Sequence, residues 1–94
     1  MKLSWTARAY RNLANIIEYI RLDNPPAAKK LEDHIFNTVR NTLTSQPLLG
    51  KIGRVAGTRE IVVHSSYILI YKVEKENINI ISLRHTARIW PKKF

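Results

Sequence analysis

Residues 57–71 read Gly57-Thr58-Arg59-Glu60-Ile61-Val62-Val63-His64-Ser65-Ser66-Tyr67-Ile68-Leu69-Ile70-Tyr71. Two apolar, β-branched runs, Ile61 to Val63 and Tyr67 to Tyr71, flank the short polar break His64-Ser65-Ser66. Such runs favour strands, and so short a break suits a hairpin. Neither run alternates strictly between polar and apolar. Nearly continuous apolar strands are covered on both faces, or on one face and by a partner on the other. The hairpin therefore belongs in the middle of a sheet, and the rest of the chain must supply its cover.

Downstream, Glu74-Lys75-Glu76-Asn77 is a charged turn, and Ile78 to His85 reads as a further strand. With the hairpin it makes an antiparallel meander. Upstream, Lys2-Leu3-Ser4-Trp5 alternates polar and apolar, as a short edge strand does. Thr6 suits a helix cap. Tyr10, Leu13, Ile16, Ile17 and Ile20 then recur at helical spacing, with Arg8, Arg11, Asn12, Asn15 and Glu18 on the other side, predicting a helix over about 7–22. Tyr10 and Tyr19 read as core or rim packing. Asp23-Asn24-Pro25-Pro26 ends that helix and starts another over about 25–44, with Asn24 as cap, Pro25 in the first turn, and Leu31, Ile35, Val39 and Leu43 spaced by four. So short a loop predicts an antiparallel helical hairpin. Residues 45–57, broken by Pro47, Gly50, Gly53 and Gly57, read as a connection. The fold class expected is α+β, a helical hairpin packed on a small antiparallel sheet in the order β-α-α-β-β-β, with residues 1–94 as a single domain.

The chain has 94 residues, with 16 Lys and Arg against seven Asp and Glu, a net charge of +9. That balance points to an anionic partner: nucleic acid, ribosomal RNA, an acidic protein segment or an anionic membrane. There is no cysteine, which excludes disulfides, thiolate catalysis and thiolate metal sites. His34 has no second ligand at helical spacing, and two other histidines without a spaced carboxylate do not make a metal site. No metal and no cofactor are expected. The N-terminus lacks the apolar region of a signal peptide, and no run is long enough to span a bilayer. A cytoplasmic protein without a membrane partner is the expectation.

Reactive residue types gather at strand ends: Arg59, Glu60, His64, Arg84, His85 and Arg88. Histidine or glutamate as base and acid, with arginine against developing phosphorane charge, could cleave RNA without metal. The same residues could equally bind a phosphate or a carboxylate. Trp90, between Arg88 and Lys92, could stack on a base or plug the core. Arg59 and Glu60 are strand neighbours and so point to opposite faces. Arg59 is expected to pair with a backbone carbonyl or a carboxylate near the terminal segment.

Taken together, Gly57-Thr58-Arg59-Glu60-Ile61-Val62-Val63, the strand Tyr67 to Tyr71, His85-Thr86-Ala87-Arg88-Ile89-Trp90-Pro91 and the inter-helix Asn24-Pro25-Pro26-Ala27-Ala28 resemble the RelE/ParE superfamily of bacterial toxins, most closely its ParE branch. The resemblance spans nearly the whole chain. It implies the toxin of a type II toxin–antitoxin module, neutralised by a cognate antitoxin with an acidic, flexible tail, in a hetero-oligomer. ParE-like members inhibit DNA gyrase; RelE-like members are mRNA interferases that cut mRNA on the ribosome. RelE's nuclease cluster has lysines on the second strand, an arginine on the third, and an arginine and a tyrosine after the fourth. Here Arg59 and Glu60, Ile68 and Trp90 stand in those regions, which favours gyrase inhibition. His85 falls where other RNase members keep a histidine, which keeps the nuclease alternative. An inert antitoxin-binding module is the third reading. A nuclease would use His85 and Arg88 in catalysis. A target- or antitoxin-binding surface would use Arg59, His64, Arg84, Arg88, Trp90 and Lys92.

Overall fold

The computed structural model describes residues 1–64 and 66–86. Strand β1 (Lys2–Trp5) leads into helix α1 (Ala7–Asp23), helix α2 (Pro25–Asn37) and a π-helical segment (Thr38–Leu43). Four strands follow: β2 (Lys51–Ile52), β3 (Arg59–His64), β4 (Tyr67–Glu74) and β5 (Asn77–His85).

Local chemistry accounts for the helical hairpin. The Thr6 hydroxyl accepts from the Ala9 N–H at 3.1 Å, capping α1. Asn24 closes one helix and opens the next. Its N–H donates to the Ile20 carbonyl at 2.7 Å, and its side-chain oxygen accepts from the Ala27 N–H at 3.2 Å. Pro25 follows in the first turn of α2, where a missing N–H costs nothing. Leu31, Ile35, Val39 and Leu43 are all buried. A repeat of four overshoots a 3.6-residue turn by about 40° each step, so a straight α-helix would carry Leu43 off the core-facing line. The wider i→i+5 winding from Thr38 onward opposes that drift and keeps Val39 and Leu43 inward. The sequence predicts one helix to residue 44; in the structure the winding changes to π-helical from Thr38 to Leu43.

The sheet order is β1-β5-β4-β3-β2. β3, β4 and β5 form the expected antiparallel meander. β1 is at the edge, as expected, but pairs parallel to β5, with Lys2 opposite Asn77 and Trp5 opposite Ile80. The sheet is therefore mixed, not antiparallel. The helical hairpin carries the chain away from β1, and the meander brings it back with β5 running the same way, a crossover that parallel pairing needs. The connection 45–57 also contributes a strand, β2, which pairs with β3. A two-residue strand has no periodicity to find.

The core joins Ala9 and Leu13 of α1, Leu31 and Ile35 of α2, and Val39 and Leu43 to Val63, Leu69, Tyr71, Ile78, Ile80 and Leu83 of the sheet. Tyr10 is a rim residue, 55% exposed and stacked on Trp5 at 5.4 Å. Tyr19 is neither core nor rim but largely exposed, at 77%. The open sheet face expected from the apolar strands is narrow. Val62 is 63% exposed, while its cross-strand partner Ile68 and the nearby Ile70 are buried.

Candidate functional site

Register places two histidines around one tyrosine. His64 lies opposite Tyr67, and Tyr67 lies opposite His85. Directly paired residues share a face and come within side-chain reach. The rings of His64 and Tyr67 are 6.0 Å apart, and His85 meets Tyr67 edge-on at 5.4 Å. Tyr67 also packs against the core, which fixes the middle of the row.

Helix α1 supplies the opposite wall. The Asn12 side-chain oxygen accepts from Ser82 Oγ at 2.7 Å and from the Leu83 N–H at 3.2 Å. This holds α1 against β5 just past the register shift in the β4–β5 ladder. Asn15, Ile16 and Tyr19 continue along the same side of the helix. Together with Asn12, Tyr67, Leu83, Arg84 and His85 they line a cavity of about 540 Å³. Among the described residues, two amides, two phenols, an imidazole and a guanidinium face this space, and no carboxylate does. Such a lining can hold an anion or an aromatic group, and His85 can carry a proton. Among the described residues no group of histidines and carboxylates is placed to hold a metal ion.

The sequence-expected residues thus divide. His64, Arg84 and His85 come together at one end of the sheet. Arg59 stands at the other end of β3, about 17 Å away along the strand. Its guanidinium donates to the Gly50 carbonyl at 2.8 Å. That is a backbone carbonyl, as expected, but it belongs to the connection before β2 rather than to the terminal segment. Beside it the Tyr71 hydroxyl donates to the Pro47 carbonyl and accepts from the Gly50 N–H, each at 2.8 Å. Burial raises the Tyr71 phenol pKa above its ordinary value, an effect the Gly50 N–H and the Arg59 charge partly oppose. Glu60 is 2% exposed, with Oε2 accepting from the Arg54 N–H at 2.7 Å and Oε1 3.5 Å from Arg54 Nε. Arg59 and Glu60 therefore tie the connection to the sheet. Arg88, Trp90 and Lys92 lie outside the described residues.

Asn12, Asn15, Tyr19 and Tyr67 were not singled out as site residues. Asn12 in particular was read as solvent-facing. The one signal was their spacing: Asn12, Asn15 and Tyr19 form a stripe at i, i+3 and i+7 along the border of the apolar face. Tyr67 gave none, because an aromatic in a strand reads as core.

Comparison with known proteins bears on the family and the fold. The family model described as the ParE toxin of the type II toxin–antitoxin system parDE matches residues 3–90. The chain is 34% identical to the Sinorhizobium fredii protein Y4kP over 91 residues, covering 96% of this chain and 93% of that one. It is 33% identical to toxin RelE2 of Caulobacter vibrioides over 85 residues, covering 90% and 94%. A chain of the chromosomal ParDE system from P. aeruginosa superposes with a TM-score of 0.76 at 21% identity, over 90% of this chain and 95% of that one. The mixed five-stranded sheet under a helical hairpin is thus a shared fold, and on the full-length sequence match this chain belongs to the family of ParE toxins of type II toxin–antitoxin systems.

Proposed function

We propose that this toxin arrests growth by inhibiting DNA gyrase, in the cytoplasm, and that a cognate antitoxin with an acidic tail neutralises it in a hetero-oligomer. The observation that carries the reading is the match to the ParE model across residues 3–90. Arg84 and His85 at the end of β5 are assigned to the target; Arg88, Trp90 and Lys92, expected from the sequence to share that role, lie outside the described residues. Inhibition of an enzyme by docking needs no proton transfer from the toxin. The decisive experiment adds purified protein to gyrase and relaxed plasmid and follows supercoiling. Loss of supercoiling at stoichiometric toxin is the expected result.

One observation favours a second reading, mRNA cleavage on the ribosome. Arg84 and His85 line the same cavity as two phenols, and an imidazole beside a guanidinium is a usable acid–base and phosphate-binding pair. Unimpaired supercoiling together with cut mRNA on programmed ribosomes would replace the gyrase reading with this one. Expression without growth arrest would leave an inert antitoxin-binding module.

A further inference from the structure

Strand β1 stands last in the sheet order, with β5 on one side of it. The Lys2 N–H donates to the Glu76 carbonyl at 2.8 Å, and the Thr6 N–H donates to the Ile80 carbonyl at 3.0 Å. Even-numbered residues thus turn their backbone groups toward β5. The N–H and C=O of one residue point the same way, and the direction alternates along a strand. Those of Leu3 and Trp5 therefore point away from the sheet, and no described residue bonds to them. An edge in this state is a template for another strand. The opposite edge, β2, is only two residues long.

The ground beside the β1 edge is rich in carbon. Leu3 and Trp5 turn their side chains to the helix layer and pack against the core. Trp5 stacks on Tyr10 at 5.4 Å and meets Phe36 at 5.5 Å. With Leu3, Val39 and Arg40 these rings line a cleft of about 450 Å³, and Tyr10 is left 55% exposed. Ser4 points to the other face, where its hydroxyl donates to Asn79 Oδ1 at 2.6 Å.

We infer that β1 pairs antiparallel with β1 of a second copy of this chain, about a twofold axis at Ser4. Leu3 then lies opposite Trp5 of the partner subunit, and symmetry repeats the pair. Both outward N–H groups and both outward carbonyls of each copy are bonded in this register. A shift of two residues would put Trp5 opposite Met1, or Leu3 opposite Ala7 at the start of α1, and would leave groups unmet. The matched pair is aliphatic on aromatic, a favourable cross-strand neighbour. A second copy is the occupant because one patch supplies both halves: open backbone groups and apolar side chains fall at the same two positions, as an isologous contact requires. The result is one sheet of ten strands, five from each copy. β5 runs parallel to β1, so the two β5 strands run in opposite directions. Their ends, with Arg84 and His85, lie far apart and open. The inference rests on the strand edge and is independent of which target the toxin has.

The chain has no cysteine, so one introduced thiol reports on the register. Ser4→Cys places two thiols at a directly opposed pair that exchanges no backbone bonds, where Cα atoms are about 4.5 Å apart, within the span of a disulfide. Mild oxidation of the free protein should link it into a covalent dimer. Lys2→Cys puts the two thiols roughly 13 Å apart along the strands and should stay unlinked. Sedimentation of wild type should show a monomer–dimer equilibrium that tightens with added salt, because two copies of net charge +9 repel. Leu3→Pro removes an outward N–H without touching a β1–β5 bond and should weaken the dimer by about tenfold or more, since a buried carbonyl of the partner loses its donor. Tyr10→Arg tests the flank without altering the strand, and should weaken it too; Tyr19→Arg, the same change further along α1, should leave it within about twofold. Equal linking of the Ser4→Cys and Lys2→Cys proteins, or none in either, would overturn the inference. So would equal effects of Tyr10→Arg and Tyr19→Arg. Wild-type protein that stays monomeric at every concentration would also overturn it, and would leave the edge to an extended segment of another protein.

Discussion

Tyr71 shows how a single side chain sets both stability and its pH dependence. Its hydroxyl satisfies the Gly50 N–H and the Pro47 carbonyl inside the fold. Tyr71→Phe strands both groups and should cost about 1–3 kcal/mol by chemical denaturation. Burial raises the folded-state pKa of this phenol above the unfolded value of about 10. The unfolded chain therefore loses the proton first as pH rises. The stabilisation is fully present below about pH 10 and falls away as pH climbs through the folded pKa. Tyr71→Phe should flatten that part of the alkaline limb, read as Tm against pH beside wild type. Gly50 belongs to the same knot: a Cβ there would stand 2.7 Å from Tyr71 Oη and 2.8 Å from the Glu60 carbonyl. His85 is the residue on which the two target readings part. His85→Gln keeps a hydrogen-bonding side chain but cannot transfer a proton at neutral pH. Under gyrase inhibition the variant should still arrest growth. Under RNA cleavage the rate should fall by about 10²- to 10⁴-fold. A folded, non-toxic His85→Gln protein would move the nuclease reading to first place.

At the scale of elements, two short features carry disproportionate weight. The Thr6 side chain caps α1 through Ala9 and also donates to the Ile81 carbonyl at 3.0 Å, fastening the helix start to β5. Thr6→Ala should cost about 1–2 kcal/mol, at the upper end for a lost cap because a second bond goes with it. Urea denaturation measures it directly. The β4–β5 turn works the other way. Lys75 holds a left-handed φ of 56°, a region that costs a side-chain-bearing residue about 1–2 kcal/mol. Glycine removes that strain and gives back about 0.4–1 kcal/mol through a freer unfolded chain. Lys75→Gly should therefore raise Tm slightly. A drop would mean that the lysine stem makes packing worth more than the strain.

For the whole molecule, the excess of cations governs association rather than folding. At a net charge of +9, binding of an acidic amphipathic peptide should weaken with added salt, but only in part. Screening reaches the exposed Arg and Lys side chains and leaves the burial of carbon surface untouched. The same titrations run at several temperatures should give a negative heat-capacity change. A zero heat-capacity change would remove the apolar half of the contact and leave a purely electrostatic encounter.

Sequence alone determined the elements whose cause is local. The Thr6 and Asn24 caps, the Pro25 start, the apolar stripes of α1 and α2 and the runs through 61–63 and 67–71 each specify their own structure, because caps, helical period and β-branched strands act over a few residues. The same local logic put His64, Arg84 and His85 at strand ends. Only the tertiary structure decided the rest. β1 runs parallel to β5 because of where the chain returns, not because of what Lys2 to Trp5 contain. β2 is a strand because β3 offers it an edge. Asn12 reads as a solvent residue until β5 presents Ser82 and the Leu83 N–H to its side chain. Arg59 and His85 looked like members of one cluster, and the length of β3 separates them. Neighbourhood across a sheet depends on register, and register is set by the packing of the whole chain.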